Sequence, residues 1–131
     1  MLDDLEERLF GEPYSDLVAK IKGSARLSRA LHTIESRYDC ATLTISSLAG
    51  EAYMSIRDFQ RRFRERSGLP PHQFVSRYRV WRAAHLLVES DYTIPEVARA
   101  VGFFEPRALD RNFRRFLGQS PEDLRNRSGA A

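Results

Sequence analysis

One short pattern occurs twice in this chain, and the second copy follows the first by about 50 residues. Leu48-Ala49-x-x-Ala52 recurs as Val97-Ala98-x-x-Val101, and Arg57-x-Phe59-Gln60-Arg61-x-Phe63-Arg64 recurs as Arg107-x-Leu109-Asp110-Arg111-x-Phe113-Arg114. Each copy predicts a short helix, a tight turn and a longer helix, which is the arrangement of a helix-turn-helix. A length of 131 residues suits one ordinary domain, or two very small ones that share a core.

The turn of each copy has a specific backbone requirement. Ala49 and Ala98 are small enough for the second helix to cross the first closely, and the residue four positions later must tolerate a positive φ. Gly102 meets that need in the second copy. Tyr53 occupies the same position in the first, where a left-handed conformation costs about 1 kcal/mol.

The second helix of each copy separates polar from apolar side chains on a helical wheel. The polar faces hold Arg57, Gln60, Arg61 and Arg64 in one copy and Arg107, Asp110, Arg111 and Arg114 in the other. The apolar faces hold Ile56, Phe59 and Phe63 in one copy and Leu109, Phe113, Phe116 and Leu117 in the other. A merely solvated face usually mixes Lys, Glu and Gln, whereas six of these eight polar residues are arginine. This composition favours reading of nucleic acid over simple solvation.

Charge is distributed unevenly along the chain. Residues 1–23 carry a net charge of −3, and residues 24–131 carry a net charge of +6. All 18 basic residues of the second region are arginine, whose planar fork of donors suits phosphate oxygens and guanine edges. A genome rich in GC codons is an alternative reason for the excess of arginine over lysine, but it does not explain where the arginines lie.

Several functional classes lack their signatures. The sequence contains no G-x-x-x-x-G-K-[ST], no G-x-S-x-G and no G-x-G-x-x-G. Cys40 is the single cysteine, and the spacing of His32, His72 and His85 is not that of metal ligands. We therefore expect no enzyme, no metal site and no cofactor. No apolar run is long enough to span a membrane and the start is acidic, so we expect a cytoplasmic protein.

Capping residues and helix breakers predict an all-α fold of about seven helices with a short helical N-terminal extension. The predicted helices begin near Ser24, Ser46, Ser55, Pro71, Thr93, Glu105 and Ser120. The resulting divisions are an extension (1–23), a first subdomain (24–70), a linker helix (71–89), a second subdomain (90–127) and a tail (128–131). The extension either packs Leu5, Leu9 and Phe10 on the domain or is the end of a linker or a partner-binding helix.

At this point the sequence resembles the DNA-binding domain of the AraC/XylS family of bacterial transcription regulators. The similarity covers about residues 24–125. It is carried by Leu43-Thr44-Ile45-Ser46-Ser47-Leu48-Ala49, Met54-Ser55, Phe63, Gly68, Ile94-x-Glu96-Val97-Ala98-x-x-Val101-Gly102-Phe103 and Phe113-Arg114-Arg115-x-x-Gly118-x-Ser120-Pro121. The resemblance implies two helix-turn-helix subdomains joined by a long helix, here Pro71 to Val88, with recognition helices in successive major grooves.

The resemblance also implies roles for individual residues. Arg57, Gln60 and Arg61 would face bases in one groove, and Arg107 and Arg111 would face bases in the other. The expected phosphate contacts are Ser46, Ser55, Arg64, Thr93, Arg114 and Arg115.

Four residues depart from the family pattern: Tyr53 at the turn, Phe104 at the usual capping position, Pro106 in the first helical turn and Asp110 on the second reading face. The carboxylate of Asp110 can accept a bond from cytosine N4, but it repels phosphate.

The implied partners are double-stranded DNA and RNA polymerase, and the implied function is regulation of transcription as an activator. The chain is too short to hold an effector-binding domain of roughly 150 residues as well. It is therefore either a stand-alone regulator or the DNA-binding part of a longer, effector-responsive one. A helical protein-interaction module, whose arginine faces pair with acidic surfaces, remains the alternative.

Overall fold

The computed structural model describes residues 2–40 and 42–129, and every regular element in these ranges is a helix. The helices are α1 (Leu2–Phe10), α2 (Tyr14–Lys22), α3 (Ala25–Arg37), α4 (Ile45–Glu51), α5 (Ile56–Ser67), α6 (Pro71–Glu89), α7 (Ile94–Ala100), α8 (Pro106–Leu117) and α9 (Pro121–Gly129). The all-α prediction is confirmed: α3 to α9 are the seven expected helices, and α1 and α2 form the helical extension. We call α3–α5 the first subdomain and α7–α9 the second.

Side-chain caps set the starts of several helices. The Ser24 hydroxyl accepts from the Leu27 amide at the start of α3, and Ser55 accepts from Asp58 at the start of α5. At α4 the prediction was wrong by two residues. Thr44, not Ser46, is the N-cap, because Thr44 and Ser47 form a reciprocal capping box and draw Ile45 into the helix.

The long helix α6 organises the core. It carries eight buried residues and contacts α1, α5, α7, α8 and α9. Phe74, Tyr78 and Trp81 join Phe10 and Tyr14 of the extension in one aromatic cluster. Burial of large aromatic rings dominates packing energy, so this cluster ties the extension to the linker helix.

The extension is part of this core. Leu5, Leu9 and Phe10 are buried, as the packing alternative predicts, and Leu17 and Ile21 of α2 are fully buried as well. α1 contacts α6 and α8, whereas α2 contacts α3 and α5. In the part of the chain that the structure describes, no helix has the length and apolar character needed to cross a lipid bilayer.

Candidate nucleic-acid interface

The first reading helix is α5, and its apolar face holds it on the core. Phe59 and Phe63 are fully buried, and their rings lie 5.6 Å apart. The predicted reading residues Arg57, Gln60, Arg61 and Arg64 are all exposed. The prediction for Ile56 was wrong: it was assigned to the apolar face but is 47% exposed. Ile56 is the first residue of the helix, where a wheel angle no longer determines burial.

Arg61 is held by carboxylates on its own helix. Its Nη2 lies 3.2 Å from Asp58 Oδ1 and its Nη1 lies 3.5 Å from Glu65 Oε1. The hydrogen bond that Arg61 donates to Asp58 and the charge of Glu65 raise the pKa of the Arg61 guanidinium. Exposed ion pairs of this kind contribute little to stability, because water and salt screen the charges. Arg61 can therefore exchange these partners for a stronger acceptor at little cost.

The second reading helix is α8, and it has the same layout with different chemistry. Leu109, Phe113 and Leu117 are buried, whereas Arg107 and Arg111 are exposed. Phe116 lies on the apolar side, as predicted, and packs against the core, although its ring is only partly buried. Arg77 Cζ lies 4.5 Å and Arg115 Cζ 5.3 Å from the centroid of this ring.

α8 starts without the usual cap. Glu105 precedes it in an extended conformation and makes no side-chain capping bond, and Pro106 stands at the first helical position. Proline is tolerated there because its missing N–H would have no intrahelical partner. Phe104 is 77% exposed, so burial of its ring does not compensate for the missing capping hydroxyl.

A carboxylate divides the polar face of α8. The Nε of Arg114 donates to both carboxylate oxygens of Asp110, at 3.1 and 3.0 Å. The pair neutralises one of the arginines predicted to contact phosphate. Arg107 and Arg111 remain as the positive groups of this face.

The two turns before the reading helices both contain a positive φ. Tyr53 has φ 56° and Gly102 has φ 94°, as the sequence predicts. Tyr53 is 70% exposed, and Arg29 covers it: Arg29 Cζ lies 4.9 Å from the ring centroid, and Nη2 donates to the Tyr53 hydroxyl. Gly102 lies against backbone instead, because a Cβ there would be 2.7 Å from the Tyr38 carbonyl oxygen.

The hydroxyl groups predicted to contact phosphate have different neighbours. Ser46 and Ser55 are exposed at helix starts, and no acid caps α4. Thr93 instead shares a capping box with Glu96, whose carboxylate accepts from the Thr93 amide at 3.0 Å. These hydrogen bonds lower the pKa of Glu96, so the carboxylate is ionised at neutral pH. A phosphate at α7 would meet this negative charge, whereas a phosphate at α4 would not.

Five arginines have a structural role that sequence reasoning missed. They donate to carbonyl oxygens at or just beyond the C-terminal ends of other helices. The pairs are Arg29 with Glu51, Arg66 with Lys20, Arg77 with Leu9, Arg79 with Tyr38, and Arg125 with Leu87, Ser90 and Tyr92. Unpaired carbonyls at a helix end carry partial negative charge, which a guanidinium neutralises. No local signal in the sequence marks these pairs, because their partners lie 22 to 68 residues away.

No three His, Cys, Asp or Glu side chains come close enough to hold a metal ion among the residues that the structure describes.

Known proteins with similar sequence and structure agree with this architecture. A family model described as a helix-turn-helix domain, of AraC/XylS type, matches residues 48–127. The chain is 31% identical over 101 residues to the transcriptional activator RhaS of Citrobacter koseri. The aligned region covers 77% of this chain and 36% of that protein. The chain thus spans about a third of the length of the curated relatives it matches.

Solved structures show the same fold. The DNA-binding domain of the global transcriptional factor AdpA, in complex with a target DNA, is 39% identical with a TM-score of 0.74, and covers 80% of this chain and 93% of that one. An AraC-type regulator from Chromobacterium violaceum has a TM-score of 0.75 at 21% identity, over 82% of this chain and 95% of that one. The chain belongs to the AraC/XylS-type helix-turn-helix family, and its family and fold are those of DNA-binding transcription regulators.

Proposed function

We propose that this chain binds double-stranded DNA in a sequence-specific manner and regulates transcription. The observation that carries the proposal is the pair of helices α5 and α8. Each helix packs its aromatic and aliphatic face on the core and exposes arginines on the opposite face. AdpA, a structural relative, has its DNA-binding domain in complex with a target DNA. The proposal assigns no catalytic step and places the protein on the bacterial chromosome, in the cytoplasm.

In this proposal the bases of one half-motif are read by Arg57, Gln60 and Arg61. Arginine bonds two acceptors of guanine and glutamine bonds adenine, so this face favours purines on the contacted strand. Arg107 and Arg111 read the second half-motif, and Asp110 accepts from cytosine N4 when Arg114 turns away. The two faces differ in chemistry, so the two half-motifs differ in sequence.

Phosphate contacts then fix the register of the protein on the duplex. The residues assigned to them are Ser46, Ser55, Arg64, Thr93, Arg114 and Arg115. Exposure of these side chains supports the assignment. Carboxylates lie beside phosphate candidates in both subdomains: Asp58 near Ser55 in the first, and Glu96 beside Thr93 and Asp110 beside Arg114 in the second.

The linker helix supports a two-groove arrangement. α6 has 19 residues and is about 28 Å long at 1.5 Å per residue. One turn of B-DNA spans about 34 Å. We assign one groove to the subdomain of residues 24–70 and the next to that of residues 90–127, so that one chain covers half-motifs about 10 base pairs apart.

Activation, with RNA polymerase as partner, is the finer part of the proposal. Support comes from curated relatives that are themselves transcriptional activators. Transcription from a promoter carrying the bound site, with purified polymerase and this chain, should rise when the chain is added. Equal or lower transcription would leave DNA binding standing and remove activation.

The first experiment is selection of bound duplexes from a randomised pool, followed by sequencing. We expect a recovered motif of two unlike halves, with log affinity falling steeply against log salt because several arginines displace counterions from phosphates. Absence of enrichment at low salt, or a salt slope near zero, would overturn the proposal in favour of a protein-interaction module.

A substitution on α5 tests the assignment of bases. Arg57→Ala should lower affinity for the best site by about 1–3 kcal/mol and relax the preference at one base position. Arg62→Ala is the matched control, since Arg62 is exposed on the same helix but lies outside the reading face. An equal loss on all sequences would instead assign Arg57 to the phosphate backbone.

A further inference from the structure

The helical extension touches both subdomains. α2 lies on α3 and α5 of the first subdomain, and α1 lies on the linker helix α6 and on α8 of the second. Leu9, Leu17 and Ile21 are fully buried in these contacts. A helix pair that joins both ends of a connector limits bending between them.

Arginines of the DNA-binding part hold each helix of this pair at its C-terminal end. Arg77 of α6 donates through Nη1 to the Leu9 carbonyl oxygen of α1 at 2.7 Å, and its guanidinium lies 4.5 Å from the ring of Phe116 on α8. Arg66 of α5 donates to the Lys20 carbonyl oxygen of α2 at 3.1 Å. A Cβ at Gly23 would lie 2.3 Å from Arg66 Nη1, so the chain passes the guanidinium closely.

The link between α1 and α2 is also fixed. The Tyr14 amide donates to Glu6 Oε1 at 2.8 Å, and the Tyr14 hydroxyl donates to Glu35 Oε2 at 2.9 Å. Burial raises the pKa of the Tyr14 hydroxyl, and the charge of Glu35 raises it further, so this donor stays protonated at neutral pH. The ring lies 4.7 Å from that of Trp81.

A direct contact between the subdomains exists, but it is small. Gly102 of the second turn lies against the backbone of Tyr38 and Asp39 at the end of α3, and Arg79 donates to the same Tyr38 carbonyl at 2.7 Å. The same contact includes the Tyr38 ring, 5.3 Å from that of Tyr78, and Arg79 Cζ, 6.0 Å from the Phe103 ring. The extension buries six large side chains (Leu5, Leu9, Phe10, Tyr14, Leu17 and Ile21), so it restrains bending more strongly.

We propose that α1 and α2 form a brace that sets the spacing between the two DNA half-motifs, with Arg77 as its main positioning residue. The inference rests on the proposed function for its DNA readout. When two binding modules are joined, the second binds at an effective concentration that depends on the stiffness and reach of the connection. A stiff connection favours one spacing strongly, and a loose one accepts several spacings more equally.

The test measures a ratio of affinities in this chain of 131 residues. Affinity is determined for the selected site, for the same site with five base pairs inserted between the halves, and for one isolated half-motif. The wild-type chain should lose on the order of a hundredfold or more on insertion, because simultaneous engagement is lost. Arg77→Ala should weaken binding to the correctly spaced site, so that the insertion lowers its affinity by only about tenfold or less. Its affinity for the isolated half-motif should equal that of the wild-type chain.

Two further variants separate positioning from general destabilisation. Arg77→Lys keeps the positive charge and a donor to Leu9, and should restore only part of the spacing preference, because an ammonium group does not stack on Phe116 as a guanidinium does. Arg125→Ala is the matched control, since Arg125 also holds a helix C-terminus but joins α9 to α6 without touching the brace. It should lower the melting temperature and keep the ratio. An unchanged ratio in Arg77→Ala, or an equal loss on the isolated half-motif, would overturn the proposal.

A second measurement needs no DNA and tests the brace even if DNA binding fails. Spin labels are attached to cysteines introduced by Arg62→Cys on α5 and Arg99→Cys on α7, in a Cys40→Ser background. The distribution of distances between the two labels is measured by pulsed electron paramagnetic resonance. Arg77→Ala should broaden this distribution, and Arg125→Ala should not. A distribution equally narrow in all three proteins would remove the brace independently of the DNA result.

Discussion

The two helix-turn-helix units start from similar sequences and solve the same turn in different ways. At the left-handed position the first unit has Tyr53, which projects outward under Arg29, and the second has Gly102, which lies on the backbone of Tyr38. Both φ values are positive, but 56° lies in the left-handed region that a non-glycine residue can adopt, whereas 94° lies beyond it. The backbone angle and the contact with Tyr38 therefore both favour glycine at residue 102.

The reading faces differ in a parallel manner. Gln60 stands in the middle of the first face, and Asp110 stands at the corresponding place on the second, paired with Arg114. In the first unit Ser55 caps the N-terminus of α5 with a side-chain hydrogen bond. In the second unit the N-cap residue of α8, Glu105, makes no such bond. The four predicted reading residues sum to +3 in the first unit and +2 in the second, whereas α5 and α8 as whole helices each carry a net charge of +3.

The largest effect should follow from adding one methyl group at the packed turn. Gly102→Ala places a Cβ 2.7 Å from the Tyr38 carbonyl oxygen and keeps a positive φ. Left-handed strain and overpacking together should lower the free energy of unfolding by about 2–4 kcal/mol, measured by urea titration. Gly118→Ala is the control, because Gly118 has φ 69° with open space at Cβ, and it should cost about 1 kcal/mol. Equal losses would show that the Tyr38 contact yields.

A smaller effect should follow from removing the carboxylate of the second face. Asp110→Asn frees Arg114 and removes a charge that repels phosphate, so affinity should rise on sites that lack the contacted cytosine, and the preference for that cytosine should weaken. The slope of log affinity against log salt should steepen by about one unit, because one more phosphate is neutralised. Glu122→Gln on α9 removes an exposed acid outside the reading helices and should change the slope little. An unchanged slope in Asp110→Asn would place Arg114 away from the DNA.

The smallest effect is expected at the open turn. Tyr53→Gly relieves the left-handed strain but loses the contact with Arg29, and the free energy of unfolding should change by less than about 1 kcal/mol. Tyr53→Ala loses the same contact and keeps the strain, so it should be the less stable of the two. Thermal unfolding followed by circular dichroism compares them. If the alanine variant matches or exceeds the glycine variant, strain at residue 53 is negligible.

Local signals predicted most of the helices and the exposure of both arginine-rich faces, because caps, breakers and helical spacing act over a few residues. The errors occur where local rules compete or end. The N-cap of α4 is Thr44 rather than Ser46, because Thr44 forms a capping box with Ser47, three residues later. Ile56 is exposed because it is the first residue of its helix. Roles of single arginines toward bases stay predictions, since they depend on a partner.

The choice between the alternatives for residues 1–23 also lay beyond local signals. Leu5, Leu9 and Phe10 have helical spacing whether they cover this domain or another protein. The structure decides between the two alternatives, because it shows the rings of Phe10 and Tyr14 in contact with Trp81 of α6. Distant partners decided this point, as they did for the arginines that bind helix ends.

Those five helix-end arginines have a consequence for how the sequence can drift. Lysine carries the same charge as arginine but lacks the planar fork that reaches carbonyl oxygens at fixed angles. In a lineage whose genome moves toward AT-rich codons, lysine should replace the exposed Arg62 and Arg127 before it replaces Arg66, Arg77 or Arg125. The ratio of arginine to lysine would then fall unevenly, and the arginines that persist longest would mark helix ends as well as DNA contacts.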